Sequence, residues 1–521
     1  MPQPEAARAP SAVVPTRHRA VAFFDGSPAR FYIPCTAFAA HLAVRETFMQ
    51  DIARKLLEPF AGAVTLDAAG KLAVPRPAAL AGPATDKLAW SAVFGDAATL
   101  EAARWLLWEI GQEVGVRPAS IQDLYMARGR GEVHGFTVPA INIRGLAYDT
   151  ARALFRAARG LKAGAFLCEI ARSEMAYTDQ RPAEYTSVLL AAALREGFRG
   201  PLFVQGDHFQ VNAKKYATDP EAEVGAIKAL IREAVAAGFY NIDVDTSTLV
   251  DLKQPTLDTQ QRVNYERAAE LTEVIRREQP AGVTISVGGE IGEVGGKNST
   301  IEEQHAFMDG YQRTLAARGK SLVGISKISV QTGTSHGGVV LPDGSIADVS
   351  IDFETLRLLS RDARERYRMA GAVQHGASTL PNSAFGKFPE IETAEIHLAT
   401  AFQSLLFEHQ ATPAAFKAKV YDWLRENAAG ERKSGETDEQ FFYKTRKKAI
   451  GPFKKDWWSL PEMVRAALGS ALEEQFAFLL KALKVGGTTE TVARFVKAPA
   501  LRRAEPAAAM AAAPDDAEAG E

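Results

Sequence analysis

Residues 201–208 read Pro201-Leu202-Phe203-Val204-Gln205-Gly206-Asp207-His208, and the fold turns on this stretch. A short apolar run suits a buried strand, and this one stops at a carboxylate and an imidazole side by side. The arrangement recurs twice. Ile325-Ser326-Lys327-Ile328-Ser329-Val330 leads to Gly333-Thr334-Ser335-His336-Gly337-Gly338, and Met369-Ala370-Gly371-Ala372-Val373 leads to Gln374-His375-Gly376-Ala377-Ser378. In an α/β barrel all strands end on one rim, so histidines far apart in sequence converge there. Three neutral imidazoles with one open position make a catalytic zinc site. The chain has only nine histidines, and three share this context.

Outward from 201–208, strand and helix patterns alternate from about Phe136. Strands are expected at 137–143, 165–170, 201–205, 241–244, 283–291, 325–330, 369–374 and 394–398. Helices are expected at 147–159, 183–196, 222–237, 259–277, 301–318, 352–369 and 400–408. Repeated strand–helix units over ~270 residues fit a (β/α)₈ TIM barrel. The alternative is an open doubly wound sheet, but no Gly-x-Gly-x-x-Gly follows the first strand.

The flanks read differently. Residues 1–18 and 500–521 are Ala, Pro and acid, with little to pack, and are expected to be disordered tails. Residues 19–130 form a mostly helical N-terminal extension, with helical apolar spacing over 36–60 and 97–116 and a turn-rich stretch over 61–82 that suits a short hairpin. The barrel takes 131–410, and a helical region takes 411–490. The basic run Tyr443-Lys444-Thr445-Arg446-Lys447-Lys448 reads as a solvated helix face, with RNA binding as the alternative. Trp457 and Trp458 suit packing of this region on the barrel or on a subunit neighbour.

Composition bounds the function. In 521 residues, 46% are hydrophobic and 24% charged, so a large core is available. A formal net charge of −2 argues against general affinity for nucleic acid or anionic membrane. Cys35 and Cys168 offer neither a disulfide framework nor a thiolate metal knot, and read as buried small hydrophobes. No secretory signal is visible, and no run approaches about 18 uninterrupted apolar residues. A soluble cytoplasmic protein is expected.

Asp207-His208 is the sharpest chemical element. The imidazole can ligate a metal while the adjacent carboxylate shuttles a proton to a substrate hydroxyl. Alone, the pair reads equally as a helix N-cap beside a satisfied histidine. Asp243-Val244-Asp245 places two carboxylates on one face of the fourth strand, and Glu290-Ile291-Gly292-Glu293 ends the fifth. These acids can tune the metal or hold a second divalent or monovalent cation; Asp245 also suits an N-cap and Glu293 a solvated loop. Gly337-Gly338 and Gly376-Ala377-Ser378-Thr379 can present N–H groups to an anion, as can Thr400 with its hydroxyl, although turns with positive φ explain the glycines too.

Together these residues resemble the class II, metal-dependent aldolases of ketose bisphosphates, over roughly residues 131–485. In that family an Asp-His pair ends strand three, an His-Gly ends strand six, and an His-Gly-x-Ser ends strand seven; Asp207-His208, His336-Gly337 and His375-Gly376-Ala377-Ser378 match. The resemblance implies His208, His336 and His375 as zinc ligands and Asp207 as the proton donor to the aldehyde oxygen. It implies Asp245 and Glu290 at an alternative metal position. Asn142, Gly337, Gly376, Ser378 and Thr400 would hold the phosphorylated sugar. The implied reaction is reversible cleavage of a ketose (bis)phosphate to dihydroxyacetone phosphate and an aldehyde through a metal-stabilised enediolate, with no lysine Schiff base. A homo-oligomer, a dimer or larger, is implied as well.

The chain departs from the family at four places. Lys297-Asn298 follow Gly295-Gly296 where the family has acids, which leaves Glu293, Glu302 and Glu303 as substitutes for the base. His397 and Ala399 replace an Asn and an Asp on strand eight. Ala171 replaces a phosphate-binding serine, next to Arg172, whose fork suits phosphate or carboxylate. The N-terminal hundred residues have no recognised counterpart. Two further readings remain: a non-catalytic aldolase-like partner subunit, and another metal-dependent lyase or isomerase on the same barrel.

Overall fold

Eight parallel strands close on themselves, Leu398 of the last pairing beside Ile141 of the first. They are β1 (Val138–Asn142), β2 (Leu167–Ala171), β3 (Val204–Gln210), β4 (Asn241–Asp245), β5 (Ser286–Glu290), β6 (Lys327–Val330), β7 (Ala372–Gln374) and β8 (Glu395–Leu398). The structure, a computed structural model, describes residues 49–292, 297–333, 341 and 351–504. The expected TIM barrel is therefore the fold, flanked by an N-terminal helical region and C-terminal helices. The tail at 1–18, residues 505–521, Cys35, Glu293 and the His336-Gly337-Gly338 motif lie outside the described residues, while the start of the tail expected at 500–521 is packed: Trp108 Nε1 donates to the Leu501 carbonyl at 2.7 Å and Arg502 pairs with Glu109 at 2.9 Å.

Helices follow the strands where apolar spacing predicts them. Ile301–Arg318 and Thr400–Glu408 match the expected bounds, and Thr300 starts the former with a capping box that includes Glu303. The expectation for the third strand needs correction. The third strand does not occupy 201–205 and stop before Asp207. Gly200–Leu202 pairs instead with Val116–Pro118 in a separate two-stranded sheet, and β3 runs on through Asp207-His208 to Gln210. The pairing of β3 with β4 shifts between Gly206 and Phe209, a bulge that puts His208 at φ +39°. A side chain at Gly206 would overlap the Phe209 ring, so glycine is what lets the bulge close.

The N-terminal region contains the expected short hairpin, Thr65–Leu66 against Leu72–Ala73, and the helices Pro83–Phe94 and Ala97–Val114. Its last part closes the lower end of the barrel. The Ile121 N–H donates to Asn241 Oδ1 at the start of β4, and the Ser286 N–H at the start of β5 donates to Ser120 Oγ. The helix Gln122–Gly129 follows directly.

The C-terminal helices pack back on the barrel. Trp458 stacks on Tyr148 of the first barrel helix at 5.7 Å, and Trp457 meets Phe407 and Phe416 edge-on. The basic run is not the solvated face expected. Arg446 is buried, pairs with Glu408 at 2.8 Å and lies 4.4 Å over the Tyr443 ring, while Lys444 and Lys448 pair with Glu436 and Glu431. Cys168 is the buried apolar filler expected, and burial pushes its thiol pKa up. No described helix is long and apolar enough to cross a membrane.

Candidate active site

Strand alternation turns Asp207, Asp243, Asp245, Glu290 and His397 toward the barrel, and parallel pairing brings the ends of their strands together. His208 Nδ1 lies 3.0 Å from Asp245 Oδ2, and Nε2 lies 3.7 Å from Asp207 Oδ1. Asp245 is itself fixed: Gln210 Nε2 donates to Oδ2 at 2.6 Å and Ser247 Oγ to Oδ1 at 2.6 Å. A carboxylate anchored this way orients the imidazole that it holds. His375 stands beside His208, ring centroids 4.3 Å apart, with Nδ1 4.0 Å from Glu290 Oε1 and Nε2 4.0 Å from Asp207 Oδ1.

Among the described residues, single donor atoms of His208, Glu290 and His375 lie within 4.8 Å of one another, as do those of Asp207, His375 and His397. Imidazole nitrogen with carboxylate oxygen suits zinc and related divalent ions, so the donor set fits the metal that the sequence calls for. Burial raises the Glu290 carboxyl to about 8, with Asp245 adding to it. Burial disfavours a charge on His208, but Asp207, Asp245 and Glu290 outweigh it and hold its pKa well above the usual value.

Of the residues foreseen for the sugar, Asn142, Gly376, Ser378 and Thr400 sit at the ends of β1, β7 and β8, and Gly337 lies outside the described residues. Asn142, at the end of β1, donates to Glu174 Oε2 at 2.5 Å. Gly376 adopts φ +67°, and Ser378 Oγ accepts the Ala399 N–H at 2.6 Å, tying the β7 loop to the end of β8. Thr400 opens the helix after β8. Two other candidates are committed elsewhere. Arg172 Nη1 bonds Glu223 at 2.5 Å and the Gln210 carbonyl at 2.9 Å. Glu303 pairs with Lys297 at 3.1 Å and accepts the Thr300 N–H, so it serves a helix start.

The sequence reading missed a charged layer beneath these residues. Lys327 Nζ donates to Gln205 Oε1 at 2.8 Å, Asp243 Oδ2 at 2.9 Å and Glu395 Oε1 at 2.5 Å. His397, whose role was unread, bridges upward: Nε2 is 2.7 Å from Glu395 Oε1, and Nδ1 is 3.1 Å from both Asp207 Oδ1 and Glu169 Oε2. A third donor cluster, Glu169, Glu395 and His397, lies here, and the Lys327 ammonium already supplies its balancing charge. Arg144, just past β1, was missed as well; burial opposes its charge, but Glu174, Tyr177 and Asp207 outweigh it and raise its pKa. The available signal was a charged residue at an inward position of an apolar strand: Lys327, Glu169 and Glu395 all fit it.

A closed parallel barrel gathers at one mouth imidazoles and carboxylates that could hold a metal ion. The family profile described as fructose-bisphosphate aldolase class-II matches residues 129–450. The chain belongs to that family. No curated protein sequence matches it. Solved structures similar to it include a probable tagatose 6 phosphate kinase from Sinorhizobium meliloti 1021 (19% identity, TM-score 0.47, 67% of this chain and 97% of that one). A fructose-bisphosphate aldolase from Campylobacter jejuni is 14% identical (TM-score 0.40, 69% and 93%). A fructuronate-tagaturonate epimerase from Cohnella laeviribosi is 12% identical (TM-score 0.45, 67% and 82%).

Proposed function

We propose that this protein is a zinc-dependent aldolase that reversibly cleaves a phosphorylated ketose to dihydroxyacetone phosphate and an aldehyde. The observation that carries the reading is the convergence of His208, His375 and Glu290 within 4.8 Å, with Asp207 beside them. His208 and His375, with His336 from outside the described residues, would hold the ion, and Asp245 and Glu290 would line an alternative position. Bound there, the ion supplies Lewis-acid polarisation of the substrate's carbonyl and hydroxyl oxygens.

Asp207 moves the proton. In cleavage its carboxylate takes the proton of the hydroxyl whose oxygen becomes the aldehyde, the C–C bond breaks, and the electron pair stays with the ketone fragment, whose carbon then takes up a proton to give dihydroxyacetone phosphate. In condensation it returns that proton to the new alkoxide oxygen. Asp207 is nearly buried, which excludes water from this transfer. Asn142, at the end of β1, and Gly337, Gly376, Ser378 and Thr400 would hold the sugar and its phosphate with amide, hydroxyl and backbone N–H donors. Residues 131–410 then carry the chemistry, the flanking helices brace the barrel, and a homo-oligomer completes the reading.

Metal analysis of the purified protein, with retro-aldol assays over a panel of ketose phosphates with and without chelator, tests this. Chelator-sensitive release of dihydroxyacetone phosphate is expected. A second reading, a metal-dependent isomerase or epimerase at the same centre, draws on His397, which places another proton-carrying group 3.1 Å from Asp207. Conversion of a ketose to an isomer without cleavage in that panel would select it instead.

A further inference from the structure

The helix Gln122–Gly129 lies under the barrel, and all of it but its last residue precedes the family match, which begins at 129. One of its side chains enters the barrel. Tyr125 is buried, and its hydroxyl donates to Glu395 Oε2 at the foot of β8. Glu395 passes the contact on: Oε1 meets His397 Nε2 at 2.7 Å, and His397 Nδ1 meets Asp207 Oδ1 at 3.1 Å. Glu395 and His397 are two residues apart on one strand, so they share the inward face and stack along the barrel axis. Lys327 holds Glu395 from the side at 2.5 Å. A continuous line of polar contacts thus runs from the N-terminal region, through the closed floor, to the proton carrier at the mouth.

We propose that Tyr125 is a positioning residue for Asp207, acting through Glu395 and His397, so that the N-terminal region takes part in setting the catalytic geometry. The carboxylate of Glu395 has two oxygens; Tyr125 fixes one, and the other then aims the His397 ring. A ring held at both nitrogens fixes the carboxylate oxygen that it touches. Burial pushes the Tyr125 phenol well above its usual pKa and Glu395 adds to this, so the hydroxyl stays a neutral donor. The proposal rests on the aldolase reading for its kinetic consequence, but the aiming of His397 is independent of the reaction.

The test uses the full-length metal-loaded protein with Tyr125→Phe. The expected result is unchanged metal content, KM within about twofold of wild type and kcat about tenfold lower, because the lost interaction acts on the reacting group and not on binding. In 15N-histidine spectra the His397 resonances, assigned by their loss in His397→Asn, are expected to move while those of His208 stay. In the His397→Asn background Tyr125→Phe should have no added effect on kcat. A normal kcat, or unmoved His397 resonances, overturns the proposal. If the phenylalanine variant does not fold, 3-fluorotyrosine at 125 keeps the hydroxyl while changing its donor strength, and the His397 shift is read there. If wild type cleaves no sugar phosphate, the aldolase reading falls, and the spectra alone decide the aiming of His397.

Discussion

Lys327 Nζ lies 2.9 Å from Asp243 Oδ2 in the centre of the barrel, with both side chains buried. Gly288 makes the pair possible, since any side chain there would collide with Asp243 and Lys327. Lys327→Met leaves Asp243 and Glu395 buried without their cation, and the expected loss is about 3–5 kcal/mol of folding stability. Urea denaturation of the purified variant measures it; a loss below about 1 kcal/mol would show that the pair is not the counter-charge for these acids.

Asp207 is expected to be needed for proton transfer and dispensable for the metal. Asp207→Ala should retain bound zinc and lower kcat by about 10²–10⁴-fold. Elemental analysis and steady-state cleavage of the identified substrate check both halves. Full activity in this variant would remove Asp207 from the proton-carrying role.

His208 and His375 are expected to be required for the metal. Either alanine substitution should abolish stoichiometric zinc, and Asp245→Ala should weaken zinc by about 10–100-fold by freeing the His208 ring. Competition with a chromophoric chelator gives the affinities. Removing the ion from wild type should also lower Tm, since a ligand present at about 1,000 times its Kd stabilises by about 4 kcal/mol.

Gly206→Ala tests the bulge that presents His208. The added methyl forces Phe209 outward, at an expected cost of about 1–3 kcal/mol. Because His208 sits inside the bulge, zinc affinity should fall together with Tm. A variant with lower Tm and wild-type zinc affinity would separate the bulge from the metal.

The sequence alone determined the barrel and much of its mouth. Apolar runs closed by chemistry-bearing residues mark β3, β6 and β7, and apolar spacing gives helices such as Ile301–Arg318 their bounds. Period-two alternation placed Asp243 with Asp245, and strand ends placed Asp207, His208, Glu290 and His375 on one rim. Tertiary structure alone decided the rest. Gly200–Leu202 left the barrel strand because Val116–Pro118 offered a partner, and β3 continued past His208 because Phe209 folds over a glycine. Arg172 and Glu303 were diverted to Glu223 and Lys297, while His397 gained Asp207, Glu169 and Glu395. Tyr125 reached Glu395 across 270 residues of chain. Periodicity records which way a side chain faces, but a buried charge is settled by whichever counter-charge the closed barrel brings within hydrogen-bond reach, and that partner lies on another strand.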